Sequence, residues 1–146
     1  MMKRVILLCS LLIYLVFIWL QSSYFNPEIF YEYASYINMN VIIFLGVLLE
    51  LAHLIEFGIL YLILLHILLT YGGLTVKKEV AAAVFSIGYG LVDEIHQLYV
   101  PFRSFSLLDL LKNIVGVLVV MYIFKKYYNN RRLIKEKSKT NVKQST

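Results

Sequence analysis

The sequence predicts an all-α fold: a four-helix transmembrane bundle with both termini cytoplasmic and a short interfacial helix between helices one and two. Three observations carry this expectation. Hydrophobic residues make up 60% of the 146 positions, well above the roughly 45–50% of soluble domains. They gather in long runs of membrane-spanning type rather than spreading as a soluble core would. Lysine and arginine concentrate at the run ends assigned to one side.

The first run is Val5–Leu20, after Lys3 and Arg4, and predicts a helix over about 5–21. A signal peptide has the same basic start, but this run ends in Trp19-Leu20-Gln21 without a small-residue cleavage site, so a retained span is expected. The second run, Val41–Thr70, is too long for a bilayer core of about 30 Å, so its helix is placed at about 45–70, ended by Gly72 and Gly73. The third helix is placed at about 80–98, before Pro101, and the fourth at about 106–125, closed by Lys125 and Lys126. Domain boundaries follow: 1–128 for the helical domain and 129–146 for a polar, mobile, basic cytoplasmic tail.

Orientation comes from the basic residues. Lys3 and Arg4 precede helix one, Lys77 and Lys78 separate helices two and three, and Lys125, Lys126, Arg131, Arg132, Lys135, Lys137, Lys139 and Lys143 follow helix four. Only Arg103 and Lys112 fall in the outer part. The net charge of +5 is used up by this rule, which leaves no case for nucleic acid; the tail rests on anionic lipid instead. The single cysteine, Cys9, cannot form an intrachain disulfide. The interfacial segment, about 26–40, opens with Asn26-Pro27-Glu28, a capping residue followed by proline at the first helical position. With Tyr24, Phe25, Phe30, Tyr31, Tyr33 and Tyr36 around it, it reads either as an aromatic belt at headgroup level or as a lid over the site below.

Charged residues at membrane depth cost at least about 2.5–3.5 kcal/mol each and usually face the bundle interior. Helix two carries Glu50, His53 and Glu56; helix three ends in Asp93-Glu94-Ile95-His96-Gln97; helix four opens with Asp109, Lys112 and Asn113. All lie toward the outer side in the expected topology. On helix three, Ala82, Ser86, Gly90, Asp93 and Gln97 share one face, as do Asp109, Asn113 and Gly116 on helix four. Aligning the two helices from their shared outer turn sets Gln97 near Asp109, Asp93 near Asn113 and Gly90 near Gly116. Simpler roles compete: Asp109, three after Ser106, matches a capping box; Asn113 bridges helices; Glu94, about 100° around the helix from Asp93, faces the headgroups. Arg103 neutralises Asp93 or Asp109, or anchors at the surface. His53 either bridges helices as a neutral ring or joins Glu56 and His96 in the cluster.

The run Asp93-Glu94-Ile95-His96-Gln97, then Pro101-Phe102-Arg103, Ser106, Asp109, Asn113 and Gly116, resembles the signature of the VanZ-like family. His53-Leu54-Ile55-Glu56-Phe57 resembles that family's other motif, a histidine followed by a Glu–aromatic pair. Phe102 stands where the family commonly has glycine, which bears on the turn that aims Arg103, and Phe57 where it often has tyrosine. The resemblance implies a bacterial cell-membrane protein in a cell-envelope setting, since the founding member is linked to resistance to the glycopeptide teicoplanin. It does not imply a reaction.

Three readings follow. In the first, His53, Glu56, Asp93, Glu94, His96, Gln97, Arg103, Asp109 and Asn113 form an outward-facing polar pocket that binds a membrane lipid, a lipid-linked cell-wall precursor or a lipoglycopeptide, with Arg103, Lys112 and His96 suited to phosphate or carboxylate. In the second, the chain is an intramembrane enzyme. Glu50-x-x-His53 and Asp93-x-x-His96 have the spacing of helical carboxylate–histidine metal ligands, so a metal ion would be its cofactor; a metal-free version would use His96 with Asp93 for acid/base work. In the third, the cluster only holds the bundle together, with no cofactor. A transporter fits less well, because charges are sparse toward the inner half. Neither catalytic residues nor oligomeric state can be read from the sequence.

Overall fold

The structure is a computed structural model that describes residues 2–24, 38–101 and 103–144; side chains at 46, 49, 50, 53 and 135–144 lie outside that description. Four helices form among the described residues: α1 Met2–Tyr24, α2 Met39–Leu69, α3 Val76–Gln97 and α4 Leu107–Gln144. No strand accompanies them there. The expected interfacial segment lies outside the described residues up to residue 37; of its last three positions, 38 caps α2 and 39–40 begin it.

Capping residues set the helix ends. Asn38 precedes α2 and its Oδ1 accepts from the Asn40 N–H at 2.9 Å, so α2 starts at Met39, earlier than the expected 45. Thr75 caps α3, its Oγ1 accepting from the Lys78 N–H at 3.4 Å, and α3 starts at Val76 rather than 80. The expected start of α2 came from trimming a run too long for a bilayer and that of α3 from where its apolar run begins, and a cap can lie several residues before either point. At the other extreme, α4 continues to Gln144 instead of giving way to a mobile tail at 129. No glycine or proline follows Gly116, and lysine, arginine, glutamate and glutamine are good helix formers. Lost apolar periodicity marks where burial stops, not where the helix stops.

The basic residues at this end of the bundle serve the backbone. After α2, Gly72 adopts φ +121, a conformation suited to glycine. Lys78 Nζ donates to the carbonyls of Gly72 at 2.9 Å and Gly73 at 3.1 Å, and the Arg4 guanidinium donates to Thr70 O at 2.9 Å while lying over the Tyr71 ring. Cations therefore meet the carbonyl end of α2, where its dipole is negative.

The core comprises Ile18 of α1, Phe57, Leu60, Tyr61 and Leu65 of α2, Ala82 and Ala83 of α3, and Val117 of α4. α2 is the central helix: it packs against each of the other three. Its approach to α4 is close. A Cβ on Gly116 would collide with the Leu54 carbonyl, whose carbon would lie 2.8 Å away, and a Cβ on Gly58 would meet Val120 Cγ2 at 2.7 Å and Gly116 O at 3.3 Å. The expected Gly90–Gly116 pairing is therefore wrong. Gly116 serves the α2 contact, and Gly90 faces the Asn113 amide and the Phe57 ring, each 3.3 Å from its would-be Cβ. Asn113 thus lies opposite Gly90.

Two tyrosines bind α1 to this frame. Tyr14 OH donates to Glu56 O at 3.0 Å, and Tyr89 OH donates to Leu15 O at 2.8 Å. The large apolar residues turned outward include Val5, Leu12, Ile13, Val16 and Phe17 of α1, and Leu111, Val115, Leu118 and Val119 of α4. By length and composition α1 and the Leu107–Ile134 part of α4 are able to cross a membrane; α2 holds a shorter apolar stretch, Leu54–Leu69.

The glycine contact has a direct test. Gly116→Ala is expected to lower stability by about 1–3 kcal/mol or more, because backbone cannot move aside as a side chain can. Gly88→Ala, where nothing lies within 4 Å, should be neutral or stabilising by up to about 1 kcal/mol through helix propensity. Thermal unfolding of both variants in detergent separates them.

Candidate functional site

The buried face of α3 runs Glu79, Ala82, Ala83, Ser86, Gly90, Asp93, Glu94 and Gln97. All five residues of the stripe read from the sequence are on it. Small residues occupy the middle of the face, where α2 and α4 come near, and polar ones its two ends. Glu56 of α2 and Asn113 of α4 are buried alongside, so three helices contribute polar side chains to the same interior.

At the C-terminal end of α3, Gln97 Nε2 donates to Asp93 Oδ2 at 2.9 Å, a bond between side chains four apart on one face. Glu94 does not face the headgroups; it is fully buried, and its Oε2 accepts the Ser106 N–H at 3.0 Å. The reason is the return of the chain: the segment after α3 folds back over Glu94 before α4 begins. Ser106 Oγ in turn accepts the Asp109 N–H at 3.2 Å, so Ser106 is the cap of α4. In a capping box the acid three residues on closes the cap by taking the N–H of the capping residue. Here Glu94, from another helix, takes that N–H. Asp109 instead accepts from Lys112 Nζ at 2.6 Å.

Arg103, on the loop between α3 and α4, is partly buried and electrostatically engaged: its charge acts on both Glu56 and Glu94. Asp93 also acts on both of those carboxylates, and Asp109 acts on Glu94. Glu56, Asp93, Glu94, Arg103 and Asp109 are thus one electrostatic group. Phe102, the residue expected to alter the turn that aims Arg103, lies outside the described residues.

His96 stands apart from this group. Its ring stacks on Trp19 of α1 with centroids 3.7 Å apart and an angle of 24°, and its Nε2 lies 2.9 Å from Ser23 Oγ. Ser23 Oγ is also 2.7 Å from the Trp19 carbonyl. A hydroxyl has one hydrogen and a carbonyl can only accept, so Ser23 donates to Trp19 and His96 Nε2–H donates to Ser23. The Asp93–His96 acid/base pairing considered from spacing therefore meets a histidine committed to α1. Trp19 and Ser23 escaped the sequence reading because contacts between distant segments leave no local pattern.

Glu50 and His53 sit on α2, on the turns before Glu56, and their side chains lie outside the description. Among the described residues, no three histidine, cysteine, aspartate or glutamate side chains are grouped to hold a metal ion.

The residue the sequence reading overlooked is Glu79. It is buried in the first turn of α3, with Lys125 Nζ 3.4 Å from its Oε2, and its charge acts on the fully buried Tyr61. The premise that the inner half is poor in charge fails at this position. Its signal was available: Glu79 stands directly after Lys77 and Lys78, but a charge run is normally solvated, and only packing turned one member inward.

The fold and site define an all-helical protein whose buried polar cluster is surrounded by helices with apolar outer faces. A family model described as VanZ/LLP1 matches residues 5–130, and the chain belongs to the VanZ/LLP1 family. No curated protein and no solved structure matches the chain significantly.

Two outcomes follow. Glu94→Gln should weaken the hold on the Ser106 amide by about 1–2 kcal/mol as a charge-assisted bond becomes a neutral one, read as faster hydrogen exchange at residues 106–109. Nitrogen-15 NMR of labelled histidine should show neutral His96 protonated on Nε2, and Ser23→Ala should remove that preference.

Proposed function

We propose that this protein is a four-span bacterial cell-membrane protein of the envelope, with both termini cytoplasmic. Its outer-end polar cluster binds a lipid, a lipid-linked cell-wall precursor or a lipid-tailed glycopeptide. One observation carries the reading: Glu56, Asp93, Glu94, Gln97 and Asn113 are buried while large apolar side chains cover the outside. Such a distribution suits a hydrocarbon surrounding, where buried ionisable residues mark functional sites by default. At about 1.5 Å per residue, α1 and α2 are each long enough to traverse about 30 Å of hydrocarbon.

The end that carries the cluster also carries Arg103, on the loop that closes over Glu94. The other end carries Arg4, Lys78 and Lys125, as the positive-inside rule expects of the cytoplasmic face. The envelope setting is supported by membership of the VanZ/LLP1 family and by the resemblance of this chain's motifs to those of a family with a resistance-linked founding member.

Two experiments test the proposal. A fluorescent protein fused after Thr146 should fluoresce, and alkaline phosphatase at the same point should be inactive; the reverse pattern contradicts a cytoplasmic C-terminus. Expressed in a teicoplanin-susceptible host, the chain should raise tolerance, and Arg103→Ala or His53→Ala should return it to the host level at unchanged expression. Full protection by both variants counts against the cluster as the site.

A further inference from the structure

α1 is held lightly. Among its described residues just Ile18 and Ser22 are buried, and polar ties supplement them. Arg4 donates to Thr70 O, Tyr14 to Glu56 O, and Tyr89 of α3 to Leu15 O. Each of these ties ends on a backbone carbonyl, and guanidinium and phenol donors keep their protons near neutral pH.

At the Tyr24 end of the helix the tie is different in kind. The His96 ring of α3 stacks on Trp19 with centroids 3.7 Å apart and 24° between the planes, and its Nε2 lies 2.9 Å from Ser23 Oγ. Imidazole is the side chain whose ordinary charge change falls between about pH 5 and 8. What a second proton does here follows from which nitrogen is in use. Ser23 donates its hydrogen to Trp19 O at 2.7 Å, so Nε2 carries the proton of the neutral ring and Nδ1 is bare. The second proton goes to Nδ1. The Nε2–H bond to Ser23 survives, and the ring becomes a cation over an indole face. Indole is the best aromatic partner for a cation, and the separation is well inside the ~6 Å over which such contacts act. Attraction is added and no bond is broken.

The surrounding charges come from every element at this end. α1 presents Trp19 and Ser23, both neutral. α2 carries Glu56, α3 carries Asp93 and Glu94 within a turn of His96, the following loop carries Arg103, and α4 carries Asp109 paired with Lys112. A positive ring therefore joins a group that is acidic on balance.

We propose that the Trp19–His96–Ser23 contact is a proton-operated latch: protonation of His96 tightens α1 against α3, and deprotonation slackens that end of α1. The latch goes beyond the proposed ligand site and does not depend on it. In the topology proposed above this end faces outward, and there the latch responds to acidity outside the cell.

Trp19 is the chain's single tryptophan, so its fluorescence reports on this contact. An imidazolium accepts an electron from a stacked excited indole and quenches it; a neutral imidazole does so far less. In the full chain in detergent, Trp19 emission should fall from pH 8 to pH 5 in step with the charge on His96 followed by nitrogen-15 NMR. Amide hydrogen exchange at residues 18–24, corrected for its intrinsic pH dependence, should slow about fivefold over the same range, the scale of one cation–π contact. His96→Phe keeps a flat ring that cannot be charged and should lose both responses, which also separates His96 from His53 and His66. A pH response that persists in folded His96→Phe overturns the latch. So does a His96 whose charge does not change over this range, or exchange that is unchanged or faster once His96 is charged. That last comparison uses the wild-type chain alone and decides the matter even if His96→Phe does not fold.

Discussion

The Gly116 backbone of α4 lies against the Leu54 carbonyl of α2, with Gly58 and Val120 closing the same contact a turn away. At this separation no side chain fits between the two helices, so their axes, rotation and register are set together. Glu56 lies between Leu54 and Gly58 and is carried into the interior with them. Asn113, one turn before Gly116, is turned onto Gly90 of α3. The positions of Glu56 and Asn113 in the interior follow from this contact. Tyr14 then fixes α1 to the same turn of α2 through the Glu56 carbonyl.

At the C-terminal end of α3, burial of carboxylates is made tolerable by division of labour. Glu94 takes the backbone N–H of Ser106, Asp93 takes the Gln97 amide, and Asp109 takes Lys112. Of the three, the Glu94–Ser106 bond joins α3 to the start of α4; the other two lie within one helix. The other end uses the opposite arrangement, with cations donating to the carbonyls at the close of α2 and a buried acid, Glu79, beside Lys125. One end is therefore acidic and enclosed, the other basic and open.

Much of the fold was legible in composition and spacing. Four apolar runs matched the four described helices, and steps of three and four on α3 picked out residues that are all buried. Helix limits were less legible, because Asn38 and Thr75 act a few residues before the apolar pattern begins, and because α4 needs no apolar face to persist beyond Phe124. Of the nine expected site residues, Glu56, Asp93, Glu94, Arg103 and Asp109 form one electrostatic group, to which Gln97 is bonded through Asp93. Asn113 is buried beside Gly90, His96 is bound to α1, and the His53 side chain lies outside the description.

The sequence by itself determined the helical class, the acidic and basic poles, the family resemblance and which residues could share a helix face. Each depends on residue type and on distances of a few positions along one helix, which are local quantities. The tertiary structure decided what each face meets. It gave Gly116 to α2 instead of α3, and it turned Glu94 inward to finish the cap of α4. It also paired His96 with Ser23 and Trp19, and buried Glu79 out of a charge run. Those outcomes depend on helix rotation, and rotation is set by the closest backbone approach between segments far apart in the chain. The periodicity of a single helix leaves that angle free.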